Sequence, residues 1–257
     1  MLLVVDIGNT DVVYGVGRQG DWQHIWRVPS QPRRTASEYG LLLRSFFLEN
    51  NLKIDRVQRV VLSSVVPPLT PVMQEMLLGL TGQPPLVLGP VVFQQLPMQI
   101  AQPHQIGSDL VANAAAAYDR FRSNCLVVDF GTALTFTAID AKGAIKGVSI
   151  APGLRTAMKA LSGNTAQLPE IPLEIPQKAI GTNTVEAIQS GIVLGYVGLV
   201  SYLVEKMKEE LGGECTVVAT GGLSFVMEPL KQVFAHIDPR LTLDGLAVID
   251  RWIHHGA

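Results

Sequence analysis

The sequence predicts an α/β fold built twice, on three observations. A strand-and-loop segment, Leu3-Val4-Val5-Asp6-Ile7-Gly8-Asn9-Thr10, returns as Leu126-Val127-Val128-Asp129-Phe130-Gly131-Thr132-Ala133. A further buried-strand run follows each copy, Arg59–Ser64 in the first half and Thr216–Gly222 in the second. Stretches with helical periodicity lie between the strands. Strands alternating with helices point to an α/β fold, and the same order of elements in both halves argues for internal duplication.

Each copy opens with an apolar run that ends on an aspartate. Val12–Val16 and Leu134–Ile139 supply the next strand, and Gly20 lies where Gly143 lies in the second copy, a hairpin turn in each. Glu38–Asn50 sets Leu41, Leu42, Phe46 and Leu48 at helical spacing, and Leu110–Phe121 is rich in alanine, the strongest helix former. Met73–Leu80 and Val185–Leu211 also read as helices, while the Pro-rich stretch Leu168–Gln177 reads as a loop. The boundary falls near Phe121–Asn124 and gives two domains, 1–122 and 123–257, each large enough to close its own core.

The 257 residues are 47% hydrophobic and 16% charged, which excludes a disordered chain. A net charge of −2 gives no electrostatic reason for a nucleic-acid or membrane partner. Met1–Asp6 is apolar but lacks the basic start of a signal peptide. The apolar stretch Ile192–Val204 is interrupted by Gly195 and Gly198 and falls short of the roughly 20 residues that span a bilayer. The expectation is a soluble, cytoplasmic protein. Cys125 and Cys215 each lead into an apolar run and are expected as reduced, small hydrophobes.

Backbone N–H groups can face an anion only where no Cβ intervenes, and Gly8 and Gly131 supply that. Asn9, Thr10 and Thr132 add neutral donors. Asp6 and Asp129 repel phosphate, so carboxylates at these strand ends make sense if they hold a cation that bridges to phosphate oxygens, directly or through water. A single Asp-x-Gly is an ordinary turn; two at equivalent places in a duplicated fold are not explained that way. Gly221-Gly222 follows a buried strand, where it can admit a flat ring or ribose against the backbone, or simply turn the chain. There is no Gly-x-x-x-x-Gly-Lys-Ser/Thr, and the one Gly-x-Gly-x-x-Gly, Gly15-Val16-Gly17-Arg18-Gln19-Gly20, runs from a strand into a hairpin turn rather than opening a helix, so P-loop and Rossmann readings lose support. Asp109 follows Gly107-Ser108 and precedes the helix. By position it is an N-cap, a role that leaves its second carboxylate oxygen available for chemistry.

With these motifs in this order, the chain resembles type III pantothenate kinases, within the acetate kinase, sugar kinase, Hsp70 and actin superfamily. The matching residues are Asp6–Thr10, Gly107-Ser108-Asp109, Asp129–Ala133, Ala151-Pro152-Gly153-Leu154, Gly181–Gly191 and Thr220-Gly221-Gly222, which span nearly the whole chain. The resemblance implies a duplicated ribonuclease-H-like (actin-like ATPase) fold, two similar domains with a nucleotide cleft between them. It implies ATP-dependent phosphorylation of pantothenate to 4′-phosphopantothenate, the first step of coenzyme A biosynthesis. It makes Asp6, Ile7, Gly8, Asn9, Thr10, Asp11, Val12, Val13, Thr132, Gly221 and Gly222 the ATP site. Ile100, Gly107, Ser108, Asp109, Leu110 and Thr184 become the pantothenate site, with Asp109 as catalytic base. The cofactors it implies are Mg-ATP, with Asp6 as a magnesium ligand, and a monovalent cation, potassium or ammonium, on Asp129. It further implies a homodimer with the active site near the interface and Thr184 of the partner subunit touching pantothenate. Read from the residues alone, Asn183 and Glu186 start a helix in the manner of a capping box, and Gly191, Gly195 and Gly198 form a small-residue face for close packing, internal or across an interface.

The chain departs from the family at the acceptor. The Arg of Gly-x-Asp-Arg is Leu110 here, an upstream aromatic is Ile100, and a Gly-Gly pair is Gly147-Val148. A charge-assisted contact is worth about 1.5–3 kcal/mol. His104, Arg155 and Lys159 are among the basic residues that can replace it, and the sequence selects none of them. Two alternatives therefore stand beside pantothenate: a kinase of the same fold for another small alcohol, and a non-catalytic accessory factor for transcription. Retention of Asp6, Asp109 and Asp129 favours an enzyme.

Overall fold

The computed structural model describes residues 1–18, 21–163, 171–222 and 228–255. The turn expected at Gly20, and the part of the Pro-rich stretch before Ile171, lie outside the described residues. The chain divides into two compact units, Met1–Asp119 with Leu241–Ala257, and Arg120–Arg240.

In the first unit, β1 (Leu2–Ile7), β2 (Asp11–Arg18) and β3 (Asp21–Pro29) form an antiparallel meander, followed by α1 (Ala36–Glu49). The chain then forms β4 (Arg59–Ser64), α2 (Leu69–Thr81), β5 (Leu86–Val87), the short α3 (Pro90–Phe93) and β6 (Gln99–Ile100), and α4 (Ser108–Phe121). Strands β4 and β5 run parallel to β1, giving the sheet order β3-β2-β1-β4-β5. The central strand is buried along nearly its whole length, which is why it reads as an apolar run rather than an alternation. Thr35 and Glu38 start α1 with a reciprocal capping box. Gly82, at φ 67°, ends α2 in the left-handed conformation that favours glycine.

The second unit repeats the plan. Strands β7 (Cys125–Phe130), β8 (Ala133–Ile139) and β9 (Ala144–Pro152) form the meander, and β10 (Thr216–Gly221) and β11 (His236–Ile237) are the parallel strands. Their order, β11-β10-β7-β8-β9, matches that of the first unit strand for strand. The duplication extends to register: Asp6 lies opposite Ser63 on β4, and Asp129 lies opposite Thr220 on β10. The loops differ by one residue, Gly8–Asp11 between the paired Ile7 and Val12, against Gly131–Ala133 between Phe130 and Leu134.

Among the described residues this unit also holds α5 (Leu154–Gly163), α6 (Thr184–Gln189) and α7 (Gly195–Glu210), the last two joined by a π turn at Ser190–Leu194. The sequence reading stopped the apolar stretch short of a bilayer. The structure makes Thr184–Glu210 one helical run of 27 residues, long and apolar enough to cross a membrane by length and composition. Tyr196, Val200 and Val204 of that run are buried in the unit's own core. Cys125 and Cys215 are free thiols, both pushed up by burial, Cys215 to about 11.

The compact units do not coincide with the halves expected at 1–122 and 123–257. The last helix, α8 (Leu241–His255), packs with the first unit. A Cβ on Gly245 would fall on the Ala112 carbonyl, so α8 and α4 touch backbone to backbone. Thr242 donates to Asn113 Oδ1 at 2.8 Å, and the Trp22 indole donates to Asp244 at 2.5 Å. Arg59, at the start of β4, pairs at 3.2 Å with the buried Asp250.

Candidate active site

The first Asp-x-Gly turn is fixed by bonds to its carbonyls. The Gly8 amide closes the turn on the Asp11 carbonyl at 2.9 Å. Ser30, just past β3, donates its amide to the Thr10 carbonyl at 2.8 Å and its hydroxyl to the Gly8 carbonyl at 2.5 Å. In a planar trans peptide the C=O and the next N–H point in opposite directions. Holding the Gly8 carbonyl on Ser30 therefore turns the Asn9 amide away from Ser30. Asn9 and Thr10 are exposed, so this loop offers donors to an anion. Ile7 and Val12, included in the expected ATP site, are fully buried, and Asp11 forms an ion pair with Arg27 at 2.9 Å. Their contribution is to seat the loop.

The second turn is held from the Pro152-Gly153 corner. The Gly131 amide bonds to the Ala133 carbonyl at 3.1 Å. The Thr132 carbonyl accepts both the Gly153 amide, at 2.9 Å, and the Thr156 hydroxyl, at 2.7 Å. Tyr196 of α7 donates to the Pro152 carbonyl at 2.6 Å and so fixes the corner itself. Thr132 is exposed. At the end of β10, Gly221 has φ +96°, and a Cβ there would come 2.6 Å from the Phe130 carbonyl oxygen. Only glycine fits that position, and packing on β7 is sufficient reason for it.

Asp109 is not the helix cap expected from its position. Helix α4 begins at Ser108, which puts Asp109 in the first turn and Gly107 ahead of the helix. Burial pushes the Asp109 carboxyl above the ordinary aspartate range, partly opposed by the Leu110 amide, which donates to Oδ1 at 2.8 Å. A Cβ on Gly107 would strike this carboxylate. Ser108 is buried, with its hydroxyl engaged on β4: it accepts the Ser64 amide at 3.0 Å and lies 2.9 Å from the Ser63 hydroxyl. Leu110 is 8% exposed and part of the core, whereas Ile100 is half-buried. The basic residues considered as replacements for the family Arg, His104, Arg155 and Lys159, are all exposed.

In the second unit Thr184 is exposed in the first turn of α6. The Asn183 side chain caps this helix by accepting the Glu186 amide at 3.0 Å, and Glu186 reaches back to the Thr182 amide and hydroxyl, each at 2.8 Å. These bonds hold the Glu186 carboxyl below its ordinary value.

Sequence reasoning missed Ser30, Ser63, Thr156 and Tyr196. Ser63 alone left a signal, a hydroxyl within the buried stretch of its strand. Among the described residues, no three His, Cys, Asp or Glu side chains converge to hold a metal. One carboxylate, with water and phosphate oxygens completing the shell, is the arrangement magnesium favours, and Asp6 suits it. Asp129 is the corresponding carboxylate near the end of β7.

A duplicated ribonuclease-H-like fold with an Asp-x-Gly turn after the first strand of each copy defines an actin-like ATPase and sugar kinase architecture. MreB 5 of Spiroplasma citri, solved with AMPPNP, shares it at a TM-score of 0.57 and 11% identity, over 98% of this chain and 96% of that one. The sequence profile of type III pantothenate kinase matches residues 2–206. The type III pantothenate kinase of Moorella thermoacetica is 42% identical over 97% of this chain and 98% of its own length, and that of Geobacter sulfurreducens is 40% identical over the same shares. The chain belongs to the type III pantothenate kinase family.

Proposed function

We propose that this protein transfers the γ-phosphoryl group of ATP to the hydroxyl of pantothenate, giving 4′-phosphopantothenate and ADP as the opening step of coenzyme A synthesis. Asp109 carries the reading. A carboxyl held above the ordinary range by burial is a stronger base than a solvated one. Asp109 takes the hydroxyl proton as the new O–P bond forms and the bond to the β–γ bridging oxygen breaks.

Loop Gly8–Asp11 presents amides and hydroxyls to the ATP phosphates, and Thr132 adds a phosphate contact. Asp6 holds magnesium, which when bound offsets negative charge on the phosphoryl oxygens. Asp129 holds potassium or ammonium. The bare end of β10 at Gly221-Gly222 accommodates the nucleoside.

No heavy atom lies within 4 Å of a Cβ built on Gly191, Gly195 or Gly198, and Val185 and Tyr202 are exposed on the same helical run. This open face supports a homodimer with Thr184 of the partner subunit at the pantothenate site. The reading makes the protein a cytoplasmic enzyme of small-molecule metabolism.

A second reading rests on Leu110. A buried leucine where the family carries Arg favours a kinase for another small alcohol lacking a carboxylate. ADP release with a panel of acceptors separates the two. Pantothenate is expected to give the fastest turnover; release only with an uncharged alcohol would replace pantothenate as the substrate. Equal rates in sodium and potassium would remove the monovalent cation from Asp129.

A further inference from the structure

The strand that flanks β1 ends in two serines, and one reaches the phosphate-loop aspartate. Ser63 lies opposite Asp6 in the β1–β4 register, and its hydroxyl is 2.8 Å from Asp6 Oδ1. A carboxylate only accepts, so Ser63 is the donor. With its proton committed, the Ser63 oxygen is an acceptor for the Ser108 hydroxyl, 2.9 Å away, and the Ser108 oxygen in turn accepts the Ser64 amide at 3.0 Å. The alternative acceptor for Ser108, the Ser64 carbonyl, is longer at 3.2 Å. Both serines are buried. The chain of bonds therefore runs in one direction, from the β4 backbone through Ser108 and Ser63 to the Asp6 carboxylate. It passes through Ser108, the residue that precedes Asp109.

We propose that Ser63 is a positioning residue for the cation site: held by Ser108, it fixes the rotation of the Asp6 carboxylate so that the carboxylate meets metal-bound nucleotide in one orientation. The inference rests on the reading of Asp6 as the magnesium residue. It gives Ser108 a role behind Ser63. The duplication supports it independently, because the residue opposite Asp129 is Thr220, again a buried hydroxyl. A buried hydroxyl residue thus lies opposite the strand-end aspartate in each unit.

The test compares full-length Ser63→Ala, Ser63→Thr, Ser108→Ala and Asp6→Asn, with Mn²⁺ and a non-hydrolysable ATP analogue as probes. Calorimetry gives nucleotide affinity with and without metal, electron paramagnetic resonance reports bound Mn²⁺, and the Mg²⁺ dependence of turnover follows. Losing a hydrogen bond to a charged group corresponds to about a tenfold change or more. Ser63→Ala is expected to weaken metal-dependent binding and to raise the half-saturating Mg²⁺ concentration by about that factor, with metal-free binding unchanged. Ser108→Ala should shift both values in the same direction by less. Ser63→Thr should restore them, and Ser63→Ala added to Asp6→Asn should change nothing further.

A Ser63→Ala protein with wild-type metal dependence, beside an Asp6→Asn protein that has lost it, overturns the inference and leaves Asp6 as the magnesium residue. Unaltered metal dependence in Asp6→Asn overturns that reading and the inference with it. Equal loss of metal-free and metal-dependent binding in Ser63→Ala makes Ser63 a packing residue and also overturns the proposal.

Discussion

The amide of Gly153 donates to the Thr132 carbonyl at 2.9 Å, and the two residues are so close that a Cβ on Gly153 would lie 2.6 Å from that carbonyl oxygen. The second phosphate loop therefore rests on a position that admits no side chain. Gly153→Ala should displace Thr132, lower kcat/KM for ATP by about tenfold or more, and reduce stability by about 1–3 kcal/mol. Steady-state kinetics and urea denaturation check both. Thr156→Ala removes the other bond to the same carbonyl and should lower stability by about 0.5–1.5 kcal/mol.

Asp109→Asn should reduce kcat by about 10²–10⁴-fold while leaving nucleotide affinity intact. Its effect on stability has a definite sign. Burial raises the Asp109 carboxyl in the folded protein, so the folded state holds that proton more tightly than the unfolded state. The favourable contribution is complete below the ordinary aspartate range and is lost as pH rises through the folded-state value. Asparagine is neutral throughout. Calorimetry should give the variant a Tm at least equal to wild type at pH 7, with the difference closing towards pH 4. In wild type, the acid limb of kcat/KM should lie above the ordinary aspartate range.

Ser30→Ala should act on the first loop alone. It removes the bond to the Gly8 carbonyl but keeps the amide bond to Thr10. A freed Gly8 peptide no longer holds the Asn9 amide in one orientation. KM for ATP should rise several-fold to tenfold, with KM for the acceptor unchanged, on the scale of about 1 kcal/mol for one such bond.

Arg59 is the partner of a carboxylate that is 2% exposed. Burial pushes Asp250 up, and Arg59, then His254 and His255, oppose that shift. Arg59→Met leaves Asp250 with a proton or with a charge faced only by His254 and His255. Because Arg59 is itself 32% exposed, the loss at pH 7 should fall at the lower end for a broken buried pair, about 3 kcal/mol. It should shrink as pH falls and Asp250 takes up a proton. Urea denaturation at pH 7 and pH 5 measures the difference.

Much of this fold was legible because the duplicated strands announce themselves. β1 and β7 are buried apolar runs ending on aspartate, and their partners recur in the same order. Asp109 was legible as a residue of interest but misread as a cap, since a helix start cannot be fixed to one residue from sequence. The assignment of α8 to the second half failed for a different reason. Chain order placed it there, whereas Gly245 against Ala112 and Asp244 against Trp22 are contacts between residues far apart in sequence. Ser30 and Thr156 were hidden because an isolated hydroxyl has no pattern, and Ser63, though marked as a buried hydroxyl, had no visible partner. Their partners, Gly8, Asp6 and Thr132, are set by strand register and turn geometry. The π turn at Ser190–Leu194 breaks helical periodicity inside a run that otherwise reads as regular helix.

The return of α8 to the first unit means that an entire second unit is inserted in the chain between α4 and the helix that packs against it. During synthesis, Arg120–Arg240 emerges from the ribosome complete before Leu241 does. The second unit can close co-translationally, while the first must wait with Ala112, Asn113 and Trp22 uncovered until the last helix is released. A nascent chain stalled before Leu241 should therefore display a folded, protease-resistant second unit beside an unfinished first one. The phosphate loop at Gly8, although translated first, would mature last.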